Sequence, residues 1–464
     1  MSDGRLYAAA GSPAADLAAG LAWLWRLGPL LDAPDARAVG FGDAADAAEL
    51  HALVGAGQLA GAVIFANGAA AAAAPLPPRR VATGVARFGT SGPLNGEFTL
   101  IAGGEPLVRS RLGTHATVID GRTLVLGADV ETAWTLLHGH WALAALARYL
   151  PDVLERPLVL LPPVGCVRLD DIPGTAQHQA QGEAHADKRQ LRRVRALARA
   201  YSSAGATLNL AVAARALADD GKTQVPLEDV WPRSIAAIAE GISNGAFETV
   251  GHGYLHLDTE AFDRGEIEWR EFAKLDEAEA GRRIDAVTEW QERVLGQRPA
   301  TFVAPAWGYS AGTLAAAAER DLPTWQRPKL GPLRTATAIH ETINSAFRGM
   351  HGLGYAPFTA LAGLGLPPTP VFHGGLFDLR LIQLRANRDA ITFARMIWKR
   401  DIVRLPALRG LRWVGAGELL DLIAAHETVE VHGAEVRLGE TSQARLLGAA
   451  GAAAQPAGDR LSQS

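Results

Sequence analysis

The chain has 464 residues, 48% of them apolar and 20% charged, with a formal net charge of −4. That length accommodates two or three domains, and the balance is that of a globular chain, without the basic excess of a nucleic-acid binder or the charge excess of a disordered one. Cys166 is the only cysteine, which excludes an intrachain disulfide and a cysteine-built metal site.

The first residues carry no clustered basic region, and Asp16 and Arg26 interrupt the first apolar stretch. No export signal is read there, so the cytoplasm is the expected compartment. Residues 52–78 are uncharged, but Ala and Gly dominate and Gln58 and Asn67 interrupt them. Insertion into a bilayer would be weakly driven, and a core strand followed by a loop is expected instead. Up to about residue 157 the pattern predicts a small α/β domain. It comprises a helix over 17–31, strands at 38–41 and 62–65, a hairpin over 116–126 turning at Asp120-Gly121, and a helical stretch over 131–149 closed by Pro151. His138 and His140 fall in that last stretch and are read as structural, because nothing nearby in sequence completes a ligand set.

From residue 158 strands alternate with longer helices. Strands are predicted at 158–161 leading to Asp171, and at 207–212, 247–250 and 301–304; helices are predicted at 186–203, 230–243 and 268–295. Such βα alternation implies parallel strands, with any site at their carboxyl ends. A hairpin over 428–438 closes this second unit at about residue 440, and 441–464 is expected to be a disordered tail.

The chemistry-bearing residues follow strands. Asp170 and Asp171 precede Ile172-Pro173-Gly174, which is also good turn chemistry. Adjacent carboxylates repel each other unless a cation or a proton relieves them, so a metal is the alternative to a turn. His252-Gly253-Tyr254-Leu255-His256 supplies two imidazoles; a zinc protease would need Glu where Gly253 stands, and two unconnected surface histidines are the other reading. An Asp and two His form a common ligand set for a catalytic divalent ion, zinc first, with nickel, cobalt or iron also suited. A non-haem iron oxygenase would sit on an antiparallel barrel, whereas the βα alternation here implies parallel strands. Pro305, Trp307 and Tyr309 lie in a Pro-aromatic loop, and His373 follows a short apolar run. Taken singly, loop packing and a structural histidine are the simpler readings of these.

The order of these motifs over residues 158–425 resembles the polysaccharide deacetylases of the NodB-homology type, and the phrases around Asp170, His252 and Glu271-Phe272 resemble an uncharacterised branch of them. The resemblance implies a distorted β/α barrel, here preceded by the smaller α/β domain, and a metal-dependent amide hydrolase. It makes Asp170 the catalytic base and Asp171, His252 and His256 the metal ligands. His373 becomes the general acid, and Pro305, Trp307 and Tyr309 wall the substrate groove. Two positions depart from the family pattern. Ala304 stands where an Arg would pair with the base, leaving Arg168 or Arg327 as substitutes, and Gly253 stands where Ser or Thr is usual.

The expected activity is removal of an N-acetyl group, a non-peptide C–N bond, from a sugar-like substrate. Hydrolysis of a cyclic amide on the same scaffold is an alternative, as is an inactive module that binds a carbohydrate or a protein partner. The expected partner is a small-molecule or carbohydrate substrate, with self-association open and neither nucleic acid nor membrane implicated.

Overall fold

A computed structural model describes residues 5–67, 76–86, 94–130, 140–180, 186–326, 334–335, 338–340, 356–373, 402–432, 435–437 and 444–447. The fold is mixed α/β with parallel-strand sheets.

The N-terminal part opens with β1 (Arg5–Ala8), β2 (Ala38–Asp43) and β3 (Gly61–Phe65), joined by helices Pro13–Leu24 and Ala47–Gly55. Ser12 caps the first helix by accepting from Ala15 N, and Pro13 fills its first turn, where the missing N–H costs nothing. The hairpin β4 (Arg79–Ala86) and β5 (Leu94–Ile101) pairs with itself, and β6 (Glu105–Ser110), β7 (Gly113–Ile119) and β8 (Thr123–Leu126) complete the main sheet in the order β1-β2-β3-β8-β7-β6. The β7–β8 turn lies at Asp120-Gly121 with both residues at positive φ, the geometry that Asp-Gly favours. The last helix of this part spans His140–Leu154 and runs through Pro151. The sequence pattern had placed its end before that proline. His138 and the side chain of His140 lie outside the described residues.

The strand expected over 158–161 and onward is broken in three: β9 (Leu158–Leu160), β10 (Val164–Gly165) and β11 (Arg168–Asp170). Pro162 and Pro163 cannot donate to a ladder, and they end β9. The strand that carries the acids is therefore β11, at the centre of a parallel sheet. It pairs with β12 (Leu208–Val212) on one side. Next come the hairpin β13 (Arg215–Leu217) and β14 (Gln224–Pro226), then β15 (Phe247–Gly251) beside β12. Single bridges through Phe302 carry the sheet to β16 (Thr324–Gln326), whose partner is β18 (Ala338–His340), itself paired with β17 (Arg334–Thr335). On the other side of β11 lies β19 (Val371–His373). The run expected as a strand at 301–304 thus contributes only the bridges at Phe302. A closed barrel is not seen among the described residues.

Burial explains the strands. Leu208, Leu210 and Val212 are fully buried, and each side chain of that size contributes roughly 1.5–3 kcal/mol when buried. Helix Asp187–Ser203 covers the sheet with Gln190, Val194, Leu197 and Tyr201, a spacing that repeats every three to four residues. Helix Glu277–Trp290 starts at Asp276, whose carboxylate accepts from Glu279 N. The helix expected over 268–295 therefore begins nine residues late, and residues 268–276 form a loop instead. Buried Gln291 donates from its amide to Val212 O and Val250 O, tying the carboxyl ends of β12 and β15 together.

After β20 (Arg412–Trp413), which pairs with β10, comes helix Ala416–Glu427 and the hairpin β21 (Glu430–His432) and β22 (Glu435–Arg437). The tail departs from expectation. Its residues 445–447 form β23, antiparallel to β9, and Arg445 donates to Leu161 O and Ala362 O. Residues 448–464 lie outside the description.

One apolar cluster runs from Leu6 through Leu169 to Ile423, so the N-terminal sheet and the second unit share a core. Polar contacts reinforce the joint. His426 donates from Nε2 to Leu24 O, and Arg26 donates to Glu427 O and Val429 O at the end of the last long helix. Burial holds His426 and His115 at about 4, well below the ordinary histidine range. Both are packed as neutral imidazoles. Among the described residues no helix is long and apolar enough to cross a membrane.

Candidate metal centre

Parallel register puts the motifs on one edge. Asp170 faces Ala211 on one neighbour and His373 on the other, and Val212 faces Gly251, so the residues that follow β11 and β15 emerge at the same edge of the sheet, with β12 between them. Asp171 leaves β11 with φ 63°, and Gly253 and His256 also have positive φ, at 78° and 61°. For Asp and His this left-handed region is costly, and such outliers collect at functional sites. Their effect is to turn three side chains inward.

Those side chains converge. Asp171, His252 and His256 are all buried, and one ligand atom from each lies within 4.8 Å of the others. Asp171 Oδ1 is 3.2 Å from His252 Nε2 and 3.1 Å from His256 Nε2. His252 Nδ1 is 3.0 Å from Val303 O. A carbonyl only accepts, so Nδ1 donates to it and Nε2 is the ring nitrogen that faces Asp171. A cation between them would be coordinated by Asp171 Oδ1 and His252 Nε2. A backbone carbonyl behind the distal nitrogen is also the usual way a metal-binding imidazole is oriented. His256 has its own pull toward a positive charge. Burial opposes its imidazolium, but Asp171 and Glu271 outweigh burial and raise its pKa above the ordinary value. The residue types, the ring orientation and the convergence all fit a divalent ion.

The neighbouring acid lives in different surroundings. Arg168 and Asp170 are two apart on β11 and so share a face. Arg168 Nε donates to Asp170 Oδ1 at 2.7 Å and Nη2 donates to Oδ2 at 3.1 Å, with both side chains almost fully buried. The guanidinium lies between two indoles, 5.2 Å from the Trp325 ring centre and 5.9 Å from that of Trp307. Forked pairing of this kind fixes a carboxylate in orientation as well as charge. Of the two arginines named as substitutes for the absent one at Ala304, Arg168 is thus in place, and Arg327 lies outside the described residues.

The other expected residues fall around this pair. Trp307 is half-buried and flanks Arg168. Pro305 is buried, and it packs so closely on Gly253 that a Cβ there would come within 2.7 Å of its ring. The Tyr309 hydroxyl accepts from Ala304 N at 3.1 Å and donates to Trp325 O at 2.5 Å, so it braces the loop. His373 ends β19 with its backbone opposite Asp170; its side chain lies outside the described residues.

Two contributors were assigned no site role from sequence, although Glu271 stands in one of the phrases that carry the resemblance. Trp325 completes the cage around Arg168, and it comes from a strand the motif order does not single out. Glu271 is fully buried under the histidine loop and accepts from the backbone N–H groups of Tyr254, Leu255 and His256. Burial raises its pKa against the opposing pull of Arg283. The signal that could have located it is the Asp276-to-Glu279 cap, which starts the helix after Glu271 and leaves that residue in a loop.

No family model matches the sequence, and no curated protein matches it. Solved structures similar to this chain include a family 4 carbohydrate esterase from Streptomyces lividans in complex with acetate (11% identity, 55% of this chain and 92% of that one, TM-score 0.30). A family 4 acetyl xylan esterase from Clostridium thermocellum in complex with a cobalt ion is 12% identical over 56% of this chain and 91% of its own, at TM-score 0.31. A family 4 pseudoenzyme from Bacillus anthracis is 9% identical over 56% of this chain and 66% of its own, at TM-score 0.32. At such values the assignment of individual residues rests on the geometry of the site.

Proposed function

We propose that this chain is a divalent-metal-dependent hydrolase of the carbohydrate-deacetylase type, cleaving an N-acetyl or similar simple amide on a sugar-like substrate. One observation carries the reading: two adjacent acids are sorted into different jobs, Asp171 against two imidazoles and Asp170 in the fork of Arg168. A turn would need neither arrangement.

Asp171, His252 and His256 hold the ion, with zinc the first choice. A divalent ion there supplies Lewis acidity toward water and an acyl carbonyl. Asp170, aimed by the fork of Arg168, takes the proton of the attacking water on a carboxylate oxygen. His373 is assigned the return of a proton to the departing amine; its backbone lies opposite Asp170 in the neighbouring strand, which supports that role. Trp307 and Pro305 wall the approach to these groups, and Trp307 offers a ring on which a sugar face stacks.

Arg168 also weighs against the inactive binding module. That reading drew its support from Ala304, and the guanidinium missing there is supplied two residues upstream of the acid it serves. Cyclic amides would use the same residues, so the test must include them. Purified protein loaded with zinc, nickel, cobalt or iron is screened against N-acetylated sugars, small linear amides and cyclic amides, with released acetate or amine as the readout. Metal-dependent acetate release from an N-acetylated sugar is expected. Turnover confined to cyclic amides replaces the substrate class, and full metal loading with no turnover of any of them returns the binding module.

A further inference from the structure

We infer that Glu271 is the positioning residue for the metal-ligand loop: its carboxylate, anchored by Arg283, holds residues 254–256 in the one conformation that brings His252 and His256 onto the same ion. The inference rests on the metal-site reading above and adds the device that builds the site.

Three consecutive N–H groups converge on Glu271, from Tyr254 at 3.1 Å, Leu255 at 3.2 Å and His256 at 2.8 Å, all to Oε2. Its other oxygen accepts from Arg283 Nη1 at 2.9 Å, with the acid fully buried. Arg283 is itself fixed, donating from Nε to Glu279 at 2.6 Å. The chain of contacts therefore runs from helix Glu277–Trp290 through a buried ion pair to the backbone of a metal ligand.

Neighbouring N–H groups point the same way only when the backbone curls, and a curled loop has no strand or helix to hold it. An anionic acceptor is what stabilises such a cluster. Gly253 shows how tightly the cradle fits. With φ 78°, a Cβ there would lie 2.7 Å from both Glu271 Oε2 and Pro305, so a residue with a side chain fits neither the backbone nor the space. A side-chain hydroxyl at this position cannot brace the second histidine, and Glu271 does so from another segment.

The test is zinc affinity, by competition with a chromophoric chelator, on folded Glu271→Gln, Arg283→Met and Arg283→Lys. Glu271→Gln keeps the shape but sets an amide N–H among the loop N–H groups. Its zinc affinity is expected to fall by about 10–100-fold, the usual range when a partner behind a ligand is lost. Arg283→Met should move in the same direction, and Arg283→Lys should recover most of the loss, which a role in general stability would not produce. A folded Glu271→Gln binding zinc as tightly as wild type overturns the inference; where that variant does not fold, unchanged affinity in Arg283→Met does the same. Wild-type protein that takes up no zinc, nickel, cobalt or iron overturns the metal reading itself.

Discussion

Asp170→Asn should abolish turnover and leave metal affinity unchanged. The amide has nearly the shape of the carboxylate but accepts no proton from water, so the loss is that of a general base, on the order of 10²–10⁴-fold in kcat. Metal affinity should survive because the ligand set contains Asp171 and not Asp170. Stability should also fall. The negative charge would be lost from a pair that is almost fully buried, and breaking such a pair from one side is costly. Melting curves alongside the rate measurement separate loss of chemistry from loss of fold. Activity near wild type would remove Asp170 from the mechanism, and loss of metal together with activity would mean that the two acids are not divided as described.

Arg168→Met carries the second large effect, on stability and pH dependence at once. Methionine fills part of the space between Trp307 and Trp325 but takes the guanidinium away from the buried Asp170 carboxylate. Breaking a buried pair from one side costs roughly 3–5 kcal/mol, so the melting temperature should fall markedly. The sign of the pH effect follows from the same loss. Without the guanidinium the charged form of Asp170 is less favoured, its pKa rises, and the base is ionised only at higher pH. The acidic limb of kcat/KM should therefore move toward alkaline pH, with Arg168→Lys intermediate, since an ammonium keeps the charge and loses the fork. An Arg168→Met variant with unchanged stability and an unmoved acidic limb would show that the guanidinium does not govern the base.

The candidate ligand cluster was legible because its information is local. A strand ending in two acids and two histidines four apart are read directly from sequence, and parallel register then brings Asp171, His252 and His256 together. The pairing of Arg168 with Asp170 was half legible: side chains two apart on a strand share a face, but the indoles that cage the guanidinium come from Trp307 and Trp325, far along the chain. Glu271 illustrates the opposite case. A helical pattern read over 268–295 placed it on a helix, whereas the helix starts at Glu277 and leaves it in a loop. Its partners are backbone N–H groups exposed by positive φ at Gly253 and His256, and backbone geometry of that kind leaves little mark on composition. The prolines after β9 likewise moved the acid-bearing strand to β11, and the tail strand β23 depends on a partner more than 280 residues away.

Asp171, His252 and His256 are proposed to bind one divalent ion. Zinc titration of the metal-stripped protein against a chromophoric chelator, in parallel with Asp171→Ala, tests this most directly. About one equivalent bound tightly by the wild type, and affinity lost in Asp171→Ala while the fold persists, is the expected result for a three-ligand site. Wild-type protein that takes up no zinc, nickel, cobalt or iron, or an Asp171→Ala variant that binds as well as wild type, would contradict it.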